Sequence, residues 1–392
     1  AVLIAIPIFL ALSFSYCRVF ELYELQTYDW RCQLRIPRPM SDDVVFIHVG
    51  EDTLQRLGQW PISRNYHAAL IHILGQVGAK AVLFDMIFTE SKPEEDALVA
   101  EEARAAKNVY FAVAFSEPQW RKKLFYSTEY LSTLIPVYEK AAKGVGFVNV
   151  KADIDGKRRR VPLVISHETK NNYYIALRAA LDVLGINEEE VLTGSGNAIS
   201  LPNGLKIPLD EEGCFLVSFA EKWGPDLFRH YSYYDILQSY GQMIEHKKPS
   251  LDLKKLAGKI CFVGYTGTAM GDTNATPIER ISPNVAIHAN VLNNILKKDF
   301  IRRANRLMNL LILMILASWM VALSLKFTPL VAFRVTLLTL ILYVALAVCV
   351  FLPWGIWLDL FYPLALSIVI YAVATLSRTL YEMKKRELIE SE

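Results

Sequence analysis

The chain reads as an α/β protein in which a mostly parallel central sheet with antiparallel additions forms an extracytoplasmic domain, attached to an α-helical membrane part of four spans. Three observations carry this expectation. Residues 43–90, DVVFIHVGEDTLQRLGQWPISRNYHAALIHILGQVGAKAVLFDMIFTE, place a strand, a helix and a second strand in one stretch. Hydrophobic residues make up 53% of the 392, a high share for a purely soluble protein. That excess is local, concentrated in the first residues and from about 305 to 377, while the part between alternates apolar, charged and turn residues.

In the 43–90 stretch, Val44–Val49 and Ala81–Phe88 are apolar runs rich in β-branched residues, the second broken only by Asp85, and both read as buried parallel strands. Ser63 is placed to cap the intervening helix. Tyr66, Leu70, Ile73, Leu74 and Val77 form its apolar stripe, which stops at Gly78. A right-handed crossover is expected.

Before this unit, residues 1–17 read as a retained spanning helix, since no small-residue cleavage pattern precedes Arg18. Residues 18–42 lead into the first strand, with Asp29 and Arg31 forming a local ion pair. After the unit, SKPEEDALVAEEARAAKN has the spacing of an amphipathic surface helix with Pro93 near its start, and Val109–Phe115 is a third buried strand. From Gly144 the pattern turns antiparallel: GFVNV, a turn at Asp155-Gly156, then RRRVPLVI, with the basic run Lys157–Arg160 as a solvated turn. Tyr174–Leu184 reads as a helix ending at Gly185, and LPNGLKIPLDEEGCFLVSF as paired strands turning at Asn203-Gly204 and Glu212-Gly213. Lys259–Val263 is a compact strand that opens into GYTGTAMGDTNATPI. The glycine spacing there matches no phosphate-binding loop, so it reads as a loop at the sheet edge. Asn284–Leu296 is a helix carrying His288 and Asn290.

Leu307–Leu325, Val335–Leu352 and Ile356–Leu376 each approach the roughly 20 residues that cross a bilayer, and none holds a charge at its centre. Lys326 and Arg334 mark the first connecting loop as cytoplasmic, and Arg378, Lys384, Lys385 and Arg386 do the same for the tail. This orientation puts residues 18–304 outside the membrane, with both termini inside. The expected organisation is a span at 1–17, the outer domain at 18–304, three spans at 305–377 and the start of a cytoplasmic connector helix at 378–392. Because Ala1 lies within an apolar run and Glu392 within a charged helical pattern, the chain reads as a piece of a longer product.

A net charge of +2, from 42 basic and 40 acidic residues, argues against nucleic acid and polyanionic substrates. Of the five cysteines, only Cys32 and Cys214 are free to bridge, so no disulfide framework is expected.

Particular phrases resemble the CHASE domain of type two, an extracytoplasmic sensory module of bacterial signalling proteins. They are YDWRCQLR at Tyr28–Arg35, GQWPISR at Gly58–Arg64, GAKAVLFDMIF at Gly78–Phe88, the Asp155-Gly156 turn before Arg159, LPNGLKIPLDEEG, GKICFVG at Gly258–Gly264, and PNVAIHANVLNNIL. Where the family often has a second aromatic residue after the Trp-Pro pair, this chain has Ile62. The resemblance implies a transmembrane signal receptor, with three spans after the sensor and then an output domain beyond Glu392. An adenylate or guanylate cyclase is the first choice for that output and a protein kinase the second. Homodimerisation is expected, since such outputs usually work as pairs.

Ligands of open parallel sheets bind outside the carboxyl ends of the strands. Glu51, Asp52, Asp85, Glu90, Glu117 and Asp272 fall near that edge, which suggests an acidic crevice for a cation or an amine, unless Arg64 and Arg31 neutralise Asp85. The candidate ligand-binding residues are Asp52, Arg64, His67, Asp85, Asp272 and His288. A hydrolase would use His67 or His288 as base with Asp85 as its orienter, but no GxSxG or HExxH spacing supports it. His67 and His72 are five apart, off a shared helix face, so no metal site is expected. No cofactor is expected either, and a non-catalytic scaffold is the remaining alternative. The partners expected are the lipid bilayer, a second copy, and an unknown extracytoplasmic ligand or protein.

Overall fold

A computed structural model of the chain describes residues 2–35, 39–121, 124–193, 197–224, 229–267 and 273–390. It divides into two compact units, one of residues 37–300 and one of residues 1–36 with 301–392. The latter begins with helices α1 (Val2–Tyr16) and α2 (Glu21–Leu34).

The unit of residues 37–300 is built on β1 (Val44–Val49), α3 (Glu51–Leu57), α4 (Arg64–Gln76), β2 (Ala81–Asp85), α5 (Pro93–Ala106), β3 (Val109–Phe115), β4 (Tyr130–Ser132), α6 (Pro136–Glu139), β5 (Gly144–Phe147), α7 (Ile175–Val183), β6 (His230–Ser232), α8 (Tyr233–Ile244), β7 (Ile260–Tyr265) and α9 (Asn284–Lys297). The sheet order is β6-β1-β7-β2-β3-β4, with β5 also paired to β3. Every pairing is parallel except that of β4 with β3.

Ser63 caps α4 as expected, accepting from the amide of Asn65, and Gly78 follows the helix with φ +74°. Three features of the sheet differ from the expectation. First, β1 and β2 are not neighbours, because β7 lies between them and Ile260 pairs with both Val44 and Ala81. The β7 residues are buried throughout, which suits a central strand covered on both faces. Second, β2 ends at Asp85, so Met86–Phe88 leave the sheet at its carboxyl edge. Third, β5 runs parallel to β3.

Alternation along β2 sets the two layers of helices. Phe84 meets the His67 ring of α4, 5.8 Å between centroids, while the next residue, Asp85, reaches His288 of α9. Successive side chains of a strand point to opposite faces, so α4 and α9 cover opposite sides of the sheet.

Beside this sheet, Arg158–Pro162 pairs antiparallel with Lys151–Ala152 and with Cys214–Leu216. The basic run is not a solvated turn: Arg159 is 0% and Arg160 4% exposed. Arg159 pairs with Asp153 and Asp155 at 3.0 and 2.7 Å, and Arg160 with Asp153 and Asp210 at 3.0 and 2.6 Å. Strand pairing draws the arginines inward, and the acids follow because a buried charge requires a partner.

In the other unit, α10 (Arg306–Lys326), α11 (Pro329–Trp354) and α12 (Phe361–Glu390) are long and apolar enough to cross a membrane. Helix α1 has 15 described residues, short of the roughly 20 needed, so three candidate spans stand where four were expected. Ala11 of α1 is buried in a cluster with Leu313, Met320 and Ile370. The last span starts at Phe361, because Ile356–Trp357 instead pairs with Arg302–Arg303 as short strands. Arg31 pairs with Glu24 at 3.0 Å, one helical face away from the expected Asp29 partner.

Candidate functional site

A cleft of about 410 Å³ opens at the carboxyl edge of the sheet, within the range of small-molecule sites. Asp85 comes to it as the last residue of β2, and Met86–Glu90 as the loop that follows. Trp60 and Ile62 come from the approach to α4, Arg64 and His67 from its first turn, and Tyr265 from the end of β7. The Trp60 and Tyr265 rings lie 5.2 Å apart.

Arg64 is 7% exposed and its charge is already matched. Its guanidinium donates to the Asp96 carboxylate and to the Glu90 carbonyl, and lies over the Phe88 ring at 5.5 Å. Asp96 also accepts from the Tyr138 hydroxyl at 2.7 Å and the Lys92 amide at 2.6 Å. Burial opposes ionisation of Asp96, but those three donors together hold its carboxyl below the ordinary value. Glu95 fixes the start of α4 by accepting from the Ser63 hydroxyl at 2.9 Å and the Arg64 amide at 2.6 Å. The Ser63 bond leads the effects that lower its pKa.

His67 is 2% exposed, and its Nδ1 meets the Tyr233 hydroxyl at 2.8 Å. Burial, helped by the Arg64 charge and opposed by that of Glu95, pushes its pKa down to about 3, so the ring is neutral. Among the described residues it is Tyr233, rather than Asp85, that holds the His67 ring.

Asp85 is instead joined to His288, whose Nε2 lies 3.1 Å from Oδ1, and the His288 Nδ1 meets the Tyr174 hydroxyl. Burial first, then the Asp85 charge, raises the Tyr174 phenol well above its usual pKa. The phenol therefore keeps its proton and donates to Nδ1, which assigns the Nε2 hydrogen to the bond with Asp85. The second oxygen of Asp85, Oδ2, is buried without a hydrogen-bond partner among the described residues, and so is the hydroxyl of Tyr265.

Of the six expected residues, Arg64, His67 and Asp85 line the cleft together, and His288 supports Asp85 from the opposite helix layer. Asp52 sits in the first turn of α3, accepts from the Ser232 hydroxyl and is not among the lining residues. Asp272 lies outside the described residues. Arg64 is held by Asp96 rather than by Asp85, and Arg31 is paired with Glu24 within its own unit. Tyr174, Asp96 and Tyr265 were missed. Asp96 hides in an acidic stretch that reads as a surface helix, and no local pattern links Tyr174 to a position 114 residues away. Among the described residues no cluster of three or more His, Cys, Asp or Glu could hold a metal.

A largely parallel α/β domain with such a cleft, in a chain that also carries apolar helices of membrane length, fits a transmembrane sensor. The chain belongs to the CHASE2 domain family, whose model matches residues 1–326. CHASE2 is an extracytoplasmic sensor domain. No curated protein and no solved structure matches the chain.

Proposed function

We propose that the chain is the sensory and membrane part of a bacterial receptor that works as a homodimer. An extracytoplasmic stimulus acts at the cleft, and the change passes through the membrane helices to a cytoplasmic output, an adenylate or guanylate cyclase beyond Glu392.

One observation carries the relay. The Glu24 carboxylate of α2 accepts from the amides of Leu360 and Phe361 at 2.8 and 2.7 Å, where α12 begins. Its other oxygen accepts from Arg31 at 3.0 Å and from the Trp357 indole at 2.9 Å. The two backbone amides are donors left open at a helix start. Helix α2 leads by sequence into the sensor unit, and α12 runs unbroken for 30 residues into a charged tail. Movement of α2 thus acts directly on the first turn of the output helix. The basic residues Lys326, Arg334 and Arg378 support a cytoplasmic position for that tail.

The test places a spin label at Leu380→Cys in the full chain in liposomes and measures the distance between protomers. Asp85→Asn in the cleft is expected to shift that distance, and adding Glu24→Gln to abolish the shift. An identical distance in all variants, or a single label per particle, overturns the relay. A cyclase or kinase motif in the reading frame after Glu392 supports the output; a stop codon there overturns it.

A further inference from the structure

From the cleft itself we infer the class of ligand: a small organic ammonium compound with an aromatic or apolar body. This rests on the cleft being the stimulus site.

Charge is the first argument. The Arg64 cation is matched by Asp96, and Lys92 stands at the exposed rim 4.0 Å from Glu95. His67 is neutral and bonded to Tyr233. Among the described residues, what is left in the lining is negative: the Asp85 carboxylate, with Glu90 exposed on the loop.

Hydrogen-bonding capacity is the second. His288 occupies one oxygen of Asp85, and Oδ2 has no donor among the described residues. An ionised acceptor shut away from water and unbonded is costly, so the cleft favours a ligand that brings an N–H group to it. The Tyr265 hydroxyl, on a residue 5% exposed, is likewise without a partner among the described residues and lies at the same edge.

Shape is the third. Trp60, Phe88 and Tyr265 line the cleft with Ile62 and Met86. Aromatic faces attract ammonium groups, most strongly when water is excluded. One carboxylate oxygen without a donor among the described residues, amid rings and aliphatic side chains, suits such a cation better than a hard metal ion, which takes six or more oxygen ligands. A carboxylate or phosphate ligand would face Asp85 with its charge unmatched.

The test uses the full chain in detergent, with phenethylamine, phenethyl alcohol and phenylacetate as probes in calorimetric titrations. Phenethylamine is expected to bind at least ~10-fold more tightly than the other two, as a charge-assisted hydrogen bond requires. Asp85→Asn is expected to remove that preference. Because this variant alters a buried pair, Trp60→Leu at the half-buried wall serves as a second test, with an expected loss of about 2–5-fold for the amine alone.

Equal binding of the three probes, or amine binding unchanged in both variants, overturns the inference. So does the absence of binding by phenethylamine, tyramine, putrescine and choline up to ~10 mM. Tighter binding of phenylacetate, lost in Arg64→Gln, overturns the ammonium class while supporting the cleft as the stimulus site. The spin-label measurement requires no ligand, so the relay fails or stands separately.

Discussion

Asp85 and His288 are 203 positions apart in the chain, and the Nε2 of His288 donates to Oδ1 of Asp85 over 3.1 Å with both side chains at least nine-tenths buried. This bond ties the end of a central strand to the middle of α9 and leaves Oδ2 of Asp85 without a hydrogen-bond partner among the described residues. Replacing His288 with Leu strands the carboxylate, and a broken buried pair costs about 3–5 kcal/mol. Tyr174→Phe removes only the donor to Nδ1 and is expected to cost about 1–3 kcal/mol. Denaturant titration of the full chain checks both; equal and small losses would show that the chain of bonds is not what holds α9.

Acid should destabilise the protein through His67. The folded state keeps this ring unprotonated down to about 3, whereas the unfolded chain takes up the proton at an ordinary value of 6.5. Between those values the unfolded state binds more protons, so stability is full above 6.5 and falls as pH drops toward 3, by about 1.4 kcal/mol per pH unit. His230, pushed down to about 4 by burial and then by His48, acts with the same sign. The difference between the wild type and His67→Gln therefore isolates one group: the two melting curves converge as pH falls from 7 to 4. Parallel curves would count against a neutral buried His67.

Gly146 lets β5 pass close under α7. A Cβ at this position would overlap the Ile175 backbone, whose nitrogen would lie 2.8 Å away. Gly146→Ala is expected to cost about 1–3 kcal/mol, the usual scale for overpacking. Gly156→Ala is the control, since open space surrounds that position and only its φ of +79° resists the change. Thermal melts should show the larger drop at 146.

The buried arginines offer a further test. Asp210→Ala removes the closest partner of Arg160 while Asp153 keeps an ion pair at 3.0 Å, so the loss should fall toward the lower end of about 3–5 kcal/mol. Asp153→Ala takes a partner from both Arg159 and Arg160 and should cost more. The order of the two denaturation midpoints checks this.

Much of the fold was legible because hydrophobic periodicity and capping are local properties. Ser63, Gly78, Pro93 and Gly185 mark helix ends by their own chemistry, and the three long apolar runs declare themselves by length. Strand neighbours were less legible. A buried strand such as β7 looks the same in sequence wherever it inserts, so its place between β1 and β2 was out of reach.

The candidate site divides the same way. That Asp85, Arg64 and His67 gather near one sheet edge follows from their positions at the end of a strand and the start of a helix. Which charge meets which does not follow, because ion pairing depends on distance in space. Arg64 lies 32 positions from Asp96 and pairs with it, whereas Arg31 lies 2 positions from Asp29 and pairs with Glu24.

By itself, then, the sequence determined the kinds of element, the strand-end location of the acidic and basic candidates, and the apolar segments long enough to span a bilayer. These depend on each residue's own solvation and backbone preference. Only the tertiary structure decided the order of the strands, the matching of Arg64 by Asp96, the bond of Asp85 to His288, and the clamp of Glu24 on the first turn of α12. Each of these is a meeting of side chains far apart in the chain, selected by the need to match buried charge and hydrogen-bonding capacity.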